Sequence, residues 1–136
     1  MSARYHNLVI SPQVIAELRA AVGDANLIVD RTQLQTYECD GLTNFRAVPG
    51  AVLLPREATQ VQAAIRVCAK HNIPFVARGA GTGLSGGALP TPGCVVIGLA
   101  RMNRAPSIDL ENALITVEPG VTNSQVTELV RSAGFF

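Results

Sequence analysis

Five of the chain's twelve glycines fall between Gly79 and Gly87, in the run Pro74-Phe75-Val76-Ala77-Arg78-Gly79-Ala80-Gly81-Thr82-Gly83-Leu84-Ser85-Gly86-Gly87. Glycine takes φ > 0 without penalty and lets a ligand lie directly on the backbone, so this density puts many amide N–H groups on an open surface. Successive amides in such a loop form a concavity for anions, and phosphate is the usual guest. Arg78 would set a permanent, fork-shaped cation at its edge. The apolar run over residues 73–77 reads as a short buried strand leading into the loop. Strand, arginine and glycines together favour a phosphate cradle over a flexible surface loop.

Two common phosphate sites do not fit the run. Gly81-Thr82-Gly83-Leu84-Ser85-Gly86 satisfies G-x-G-x-x-G in letters, but the dinucleotide version needs its last glycine to open a helix onto the pyrophosphate. Here Gly87, Pro90, Pro92 and Gly93 follow, which leaves no room for a helix. The ribose-binding acid expected about 20 positions on is missing, since Asp109 comes too late. There is also no Gly-Lys-Ser or Gly-Lys-Thr for a nucleoside-triphosphate loop.

Other chemistry is thinly represented. Ser85 has no nearby histidine to act as its base, so it does not read as a nucleophile. Cys39, Cys68 and Cys94 are odd in number and form no C-x-x-C pair, which argues against a disulfide framework or a zinc site and fits a reducing cytoplasm. His6 and His71 lie too far apart for a helical metal pair, and no metal site is expected. Glu38 and Asp40 read as solvated carboxylates in a turn before Gly41, Arg101 and Arg104 as solvated loop charges. No catalytic residue is assigned.

The elements that must position the loop follow from pattern. Ser11-Pro12 is a cap and first turn for a helix carrying Val14, Ile15, Leu18 and Val22, with Gly23 as its stop. Leu27-Ile28-Val29 is an edge strand or extended segment, and Asp30 caps a short helix through Leu34 and Tyr37. Pro49-Gly50 marks a turn, so residues 1–45 are expected to be a helical leader and residues 46–136 the main unit. Ala51-Val52-Leu53-Leu54 reads as a buried strand that Pro55 ends. Thr59 is expected to cap a helix to about Lys70, with Val61, Ile65 and Cys68 or Ala69 facing the core and Lys70 and His71 at the negative end of its dipole. Strand, helix and strand make a βαβ unit with parallel strands.

A third strand follows over Cys94-Val95-Val96-Ile97-Gly98-Leu99. Residues 107–110 and 114–117 flank Glu111-Asn112-Ala113 as a hairpin. Pro119-Gly120 breaks the second of these strands. Thr122-x-x-Gln125 is a capping box for a helix with Val126, Leu129 and Val130, ending at Gly134. The chain closes on Phe135-Phe136, which has nothing after it to pack against, so the sequence reads as a fragment.

Composition excludes some classes. The chain has 136 residues, 48% hydrophobic and 15% charged, with a net charge of +1 and a single lysine, Lys70. That is a globular composition with no field to attract nucleic acid. No apolar run approaches the roughly 18 residues a membrane span needs, and Met1 to His6 lack the pattern of a secretory signal.

The pattern Pro74-x-x-x-Arg78-Gly79-x-Gly81-Thr82-Gly83-x-x-Gly86-Gly87 resembles the pyrophosphate loop of FAD-linked oxidases of the vanillyl-alcohol-oxidase type, with its PCMH-type FAD-binding domain. Val52-Leu53-Leu54-Pro55 with Thr59-x-Val61-Gln62 is similar to that family's first strand and helix. Ile97-Gly98-Leu99-x-x-Met102-Asn103 and Val117-Glu118-Pro119-Gly120-Val121 are similar to its next segments, in order. Within the family, Gly41-Leu42-Thr43, Leu84-Ser85-Gly86-Gly87-Ala88 and the helical leader resemble the flavin subunit of glycolate oxidase (glycolate dehydrogenase) and its D-lactate dehydrogenase relatives.

The resemblance implies an α+β (α/β-like) fold, the first part of a PCMH-type domain: a βαβ unit plus further strands and a helix. It implies that Arg78, Gly79, Ala80, Gly81, Thr82 and Gly83 bring amides to the FAD pyrophosphate. Leu84, Ser85 and Gly86 would lie against the ribityl chain or flavin, and Pro119, Gly120 and Val121 would line the cofactor from the other strand. Glu118-Pro119-Gly120 reads equally well as a plain strand stop. Thr82 stands about where some relatives carry a flavin-tethering histidine, so the FAD is expected to be non-covalent. The implied reaction is oxidation of a 2-hydroxy acid to the 2-oxo acid, with electrons leaving through partner subunits or a quinone. The family's substrate and acid/base residues lie beyond Phe136, so this stretch alone is expected to be inactive. The competing readings are a small α/β phosphate- or nucleotide-binding module without redox activity, and a truncated pseudo-enzyme acting only through protein contacts.

Overall fold

The computed structural model describes residues 9–136; Met1 to His6, and with them the readings made of His6 and of the N-terminal stretch, lie outside the described residues. Helix α1 (Pro12–Val22) starts at Ser11, whose side chain accepts from the Val14 amide. It stops at Gly23, where φ is 85° and the amide donates to the Arg19 carbonyl. After strand β1 (Leu27–Ile28), Asp30 accepts from the Gln33 amide at 3.0 Å and opens the short helix α2 (Arg31–Leu34). A single 3-10 turn (Gln35–Tyr37) follows.

The core is a four-stranded sheet in the order β1-β2-β4-β3, with β2 (Ala51–Leu53), β3 (Phe75–Arg78) and β4 (Val95–Gly98) mutually parallel and β1 antiparallel at one edge. Helix α3 (Ala58–Lys70) carries the chain from β2 to β3, and β4 occupies the position between them. The expected parallel unit is therefore present with a third strand inserted. β4 takes the centre because all four of its residues are buried, as a strand covered on both faces must be.

The two faces of the sheet separate cleanly. Ala51, Leu53, Val95 and Ile97 pack with Val14, Leu18 and Val22 of α1 and Ala64 and Cys68 of α3. Val52 and Val96 pack on the other side with Leu34, Tyr37, Val48 and Val76. Side-chain alternation along β2 and β4 produces this division. Cys68, deep in the first cluster, has its thiol pushed up to about 11 by burial, which makes it a small core residue and a poor nucleophile. Lys70 and His71 at the end of α3 reach Glu17 of α1 at 3.0 and 3.2 Å, tying the two helices on their outer side.

Two expectations are corrected, and one alternative is resolved. The strand before the glycines is Phe75–Arg78 and lies at the sheet edge, with Phe75 44% exposed; an edge strand has a neighbour on one side only, so it is not the buried strand its apolar letters suggested. Helix α3 begins after Glu57, not at Thr59. The Gln60 side chain turns back to accept from the Arg56 amide at 2.7 Å, and the cap lies two residues earlier, with Thr59 inside the first turn. Of the two candidates on its inner face, Cys68 is buried and Ala69 exposed.

The C-terminal part is an antiparallel hairpin, β5 (Ser107–Asp109) and β6 (Leu114–Thr116), followed by helix α4 (Asn123–Val130). The capping box between Thr122 and Gln125 is formed in both directions, and Gly134 takes φ 83° after the last turn. No helix among the described residues is long and apolar enough to cross a membrane.

Leu18 is fully buried against both the sheet and α3. Leu18→Ala is expected to cost about 2–5 kcal/mol, read as a fall in the urea midpoint at unchanged slope. An unaltered midpoint would show that α1 is an appendage and not part of the core.

Candidate functional site

β3 and β4 are adjacent and parallel, so the chain that leaves β3 at Arg78 has to travel back to the start of β4. Residues 79–94 make that return without a helix. The Leu99 amide donates to the Arg78 carbonyl at 2.8 Å, so the loop departs beside the carboxyl end of β4. The crevice at the carboxyl ends of parallel strands is where open α/β sheets place their ligands.

The loop's amides are unspent. Among the described residues, no backbone amide of residues 79–87 donates to a backbone carbonyl outside helices and strands. The side chains that accept backbone amides all serve other segments. Gly79, Ala80, Thr82, Gly83, Leu84, Ser85 and Gly87 are exposed, Gly81 and Gly86 half-buried.

The glycines divide by cause. Gly81 and Gly86 take φ of 74° and 76°, where other residues are strained. Gly79, Gly83 and Gly87 have ordinary φ, and an added Cβ at each would meet no atom within 4 Å. Neither the backbone nor the packing asks for glycine there.

The loop is pinned by residues 37–41. The Gly41 amide donates to the Gly83 carbonyl at 3.0 Å. Gly41 packs so tightly that a Cβ would lie 2.7 Å from the Thr82 oxygen and 2.9 Å from that of Gly83. Arg78 turns inward: Nη1 donates to the Cys39 carbonyl at 2.6 Å, and the guanidinium stacks 5.7 Å from the centre of the Tyr37 ring. The same guanidinium lies against Gly81, where a Cβ would overlap it. It is thus not a free cation at the rim of the loop.

Asp40 is only 5% exposed, which corrects its reading as a solvated turn carboxylate. One oxygen accepts from the Leu42 amide at 2.9 Å, fixing the turn, and the other is buried without a partner. Glu38 instead pairs with Arg46 at 2.6 Å. The roles of Tyr37, Cys39, Asp40 and Gly41 were not found from the sequence. The partners of Tyr37, Cys39 and Gly41 stand some forty positions away, and locally Asp40-Gly41 is only a turn.

The second candidate stretch is tied to the first through the turn at residues 99–102. The Gly120 amide donates to the Met102 carbonyl at 2.8 Å, and a Cβ on Gly120 would come within 2.7 Å of that oxygen. Close backbone packing therefore suffices to require glycine at 120. Pro119 is exposed, Val121 half-buried, and Leu84 is 69% exposed.

Arg104 stays exposed, as a solvated loop charge would, but both it and Arg101 have partners. Arg104 grips the Glu118 carboxylate through Nε and Nη2 at 3.0 and 2.7 Å, and its amide donates to the same group at 2.8 Å. Arg101 bonds to Asn26 and the Ala25 carbonyl. The bonds from Arg104 hold the Glu118 carboxyl below its usual value near 4.5. A carboxylate with a depressed folded pKa contributes stability that is complete above the unfolded value and is lost as pH falls through the folded one. Glu118→Gln is therefore expected to melt lower than the parent by a constant amount above pH 4.5, the gap closing below it; a gap that does not depend on pH would contradict this.

A family model described as FAD binding domain matches residues 49–136. The glycolate oxidase subunit GlcD of Escherichia coli (strain K12) is 38% identical over 117 residues, covering 86% of this chain and 23% of that protein. GlcD of Bacillus subtilis (strain 168) is 33% identical over 127 residues, covering 93% and 27%. Among solved structures, p-cresol methylhydroxylase with substrate bound superposes with a TM-score of 0.77 at 30% identity, covering 90% of this chain and 25% of that one. The chain spans about a quarter of the length of the relatives it matches. With its α/β sheet and helix-free glycine-rich loop in place and the family model covering residues 49–136, the chain belongs to the FAD binding domain family.

Proposed function

We propose that these residues supply the pyrophosphate-binding loop of an FAD-dependent dehydrogenase that oxidises a small 2-hydroxy acid, such as glycolate or D-lactate, to the 2-oxo acid. The observation that carries the reading is the row of unspent amides over residues 79–87, combined with three glycines that nothing in the fold requires. A pyrophosphate laid on that row satisfies the amides and fills the space a Cβ would take. Each charge-assisted bond of this kind contributes about 1.5–3 kcal/mol.

Gly79, Ala80, Gly81, Thr82 and Gly83 offer these amides, with Arg78 as the root of the loop. Leu84, Ser85 and Gly86 continue toward the ribityl chain and flavin. Pro119, Gly120 and Val121 approach from the 99–102 turn, which is bonded to both stretches. When bound, FAD supplies the hydride acceptor, while the protein binds and orients. Thr82 has a hydroxyl where a tether would need an imidazole, so the cofactor is held by contacts alone. The choice of a 2-hydroxy acid rests on the name of the GlcD relatives and on the resemblance of Gly41-Leu42-Thr43 and Leu84-Ser85-Gly86-Gly87-Ala88. Electrons then pass to a partner subunit or quinone.

The test uses the natural chain that carries these residues. Denaturing precipitation is expected to release its flavin into the supernatant. Gly79→Ala and Gly83→Ala are expected to leave thermal stability within about 0.5 kcal/mol, yet weaken FAD binding by at least about tenfold, or 1.4 kcal/mol. Full FAD affinity in both variants, or a chain that takes up no flavin, would sink the loop assignment. Anaerobic addition of glycolate and D-lactate should bleach the bound flavin; no bleaching with either removes the substrate class.

A further inference from the structure

The Arg78 side chain points away from the row of amides and into the 37–41 segment. A loop with five glycines in nine positions has more conformational freedom to lose than any other stretch of this chain. A ligand that had to order it would forfeit affinity for each residue it immobilised. The structure contains a device that removes this freedom beforehand. Arg78 leaves the strand at the root of the loop and sends its guanidinium into the 37–41 segment, donating to the Cys39 carbonyl and lying over the Tyr37 ring. Gly81 lies against the same guanidinium, at a φ of 74°. Gly41 closes the far end by its bond to the Gly83 carbonyl, and the buried Asp40 carboxylate fixes the turn that presents Gly41.

We propose that Arg78 is a positioning residue, which holds the glycine-rich loop through Tyr37 and Cys39 so that its amides converge before FAD arrives, and that it does not itself contact the dinucleotide. The inference rests on the FAD reading of the loop for its consequence, but its geometry stands without it. Arginine suits the task because its planar fork can donate in one direction and stack in another, which the lysine ammonium cannot do. Pyrophosphate recognition is then left to neutral amides.

The test takes the natural chain with Arg78→Met, Tyr37→Leu and the two combined, and Tyr37→Phe as the conservative control. Two readouts are made: the rate of thermolysin cleavage at the Gly83–Leu84 bond without FAD, and the FAD dissociation constant. Each single change is expected to speed cleavage and weaken FAD by about 10- to 100-fold, the scale of one charge-assisted bond and one stacking contact. The double variant is expected to be no worse than the worse single one, and Tyr37→Phe to match the parent. If Arg78→Met costs as much in the Tyr37→Leu background as in the parent, the two residues act separately and the proposal fails. It also fails if both single variants melt so much lower that cleavage follows global unfolding, since Arg78 would then be a general support. A parent that binds no FAD would defeat the cofactor reading alone, because the cleavage arm still decides whether the clasp orders the loop.

Discussion

The parallel pairing of β3 with β4 constrains everything near the site. Two adjacent parallel strands need a return path the length of the sheet, and in most α/β units a helix supplies it. Here a helix already joins β2 to β3, and the return from β3 to β4 is made by residues 79–94 as irregular chain. Irregular chain brings backbone donors that no ladder satisfies. The fold thus generates its row of amides as a by-product of topology, at the end of the sheet where ligands gather. What the sequence adds is glycine, so that the row can be reached.

Such a loop would collapse or wander without support, and the support comes from outside the segment that the family model matches. Tyr37, Cys39 and Gly41 all precede residue 49, as do the α1 residues that complete the core beneath β2 and β4. The contacts at the loop are of the short-range, directional kind: a hydrogen bond at each end and a stacked cation between. The contacts under the sheet are apolar and spread over α1 and α3. The leading residues therefore serve the site twice, once by packing and once by direct attachment.

Much of this was legible in the sequence where the cause is local. Ser11-Pro12, Asp30, Thr122 with Gln125 and Gly134 all mark boundaries that the structure keeps, because a cap is decided within four residues. The run over residues 94–99 reads as a strand and is one, but its burial on both faces and its central place appear only in the sheet. Phe75 and Val76 misled, because apolar letters at an edge look the same as apolar letters in the middle; only the sheet order tells them apart. Thr59 misled because the Gln60 side chain turns back to the Arg56 amide and the cap lies two residues earlier than Thr59. Asp40 misled because the chain that buries it comes from elsewhere in the sequence, and the partners of Arg101 and Arg104 stand 14 to 76 positions away; charge spacing along a chain carries no trace of either.

The glycines show why a motif in letters is a weaker statement than the structure behind it. Gly41 and Gly120 are glycine because a neighbouring backbone occupies the space of a side chain; Gly81 and Gly86 because of their φ. Gly79, Gly83 and Gly87 have neither reason. A string such as G-x-G-x-x-G mixes these causes and so cannot say which positions face a ligand. Once the internally explained glycines are set aside, the remainder lie along one exposed row of donors whose nearest arginine is committed elsewhere. A doubly charged phosphate group can be held by such a row only if the amides converge. On the proposed reading, selectivity for an anion depends on the conformation of the loop, and the residues that fix that conformation belong to the site as fully as those that would touch the ligand.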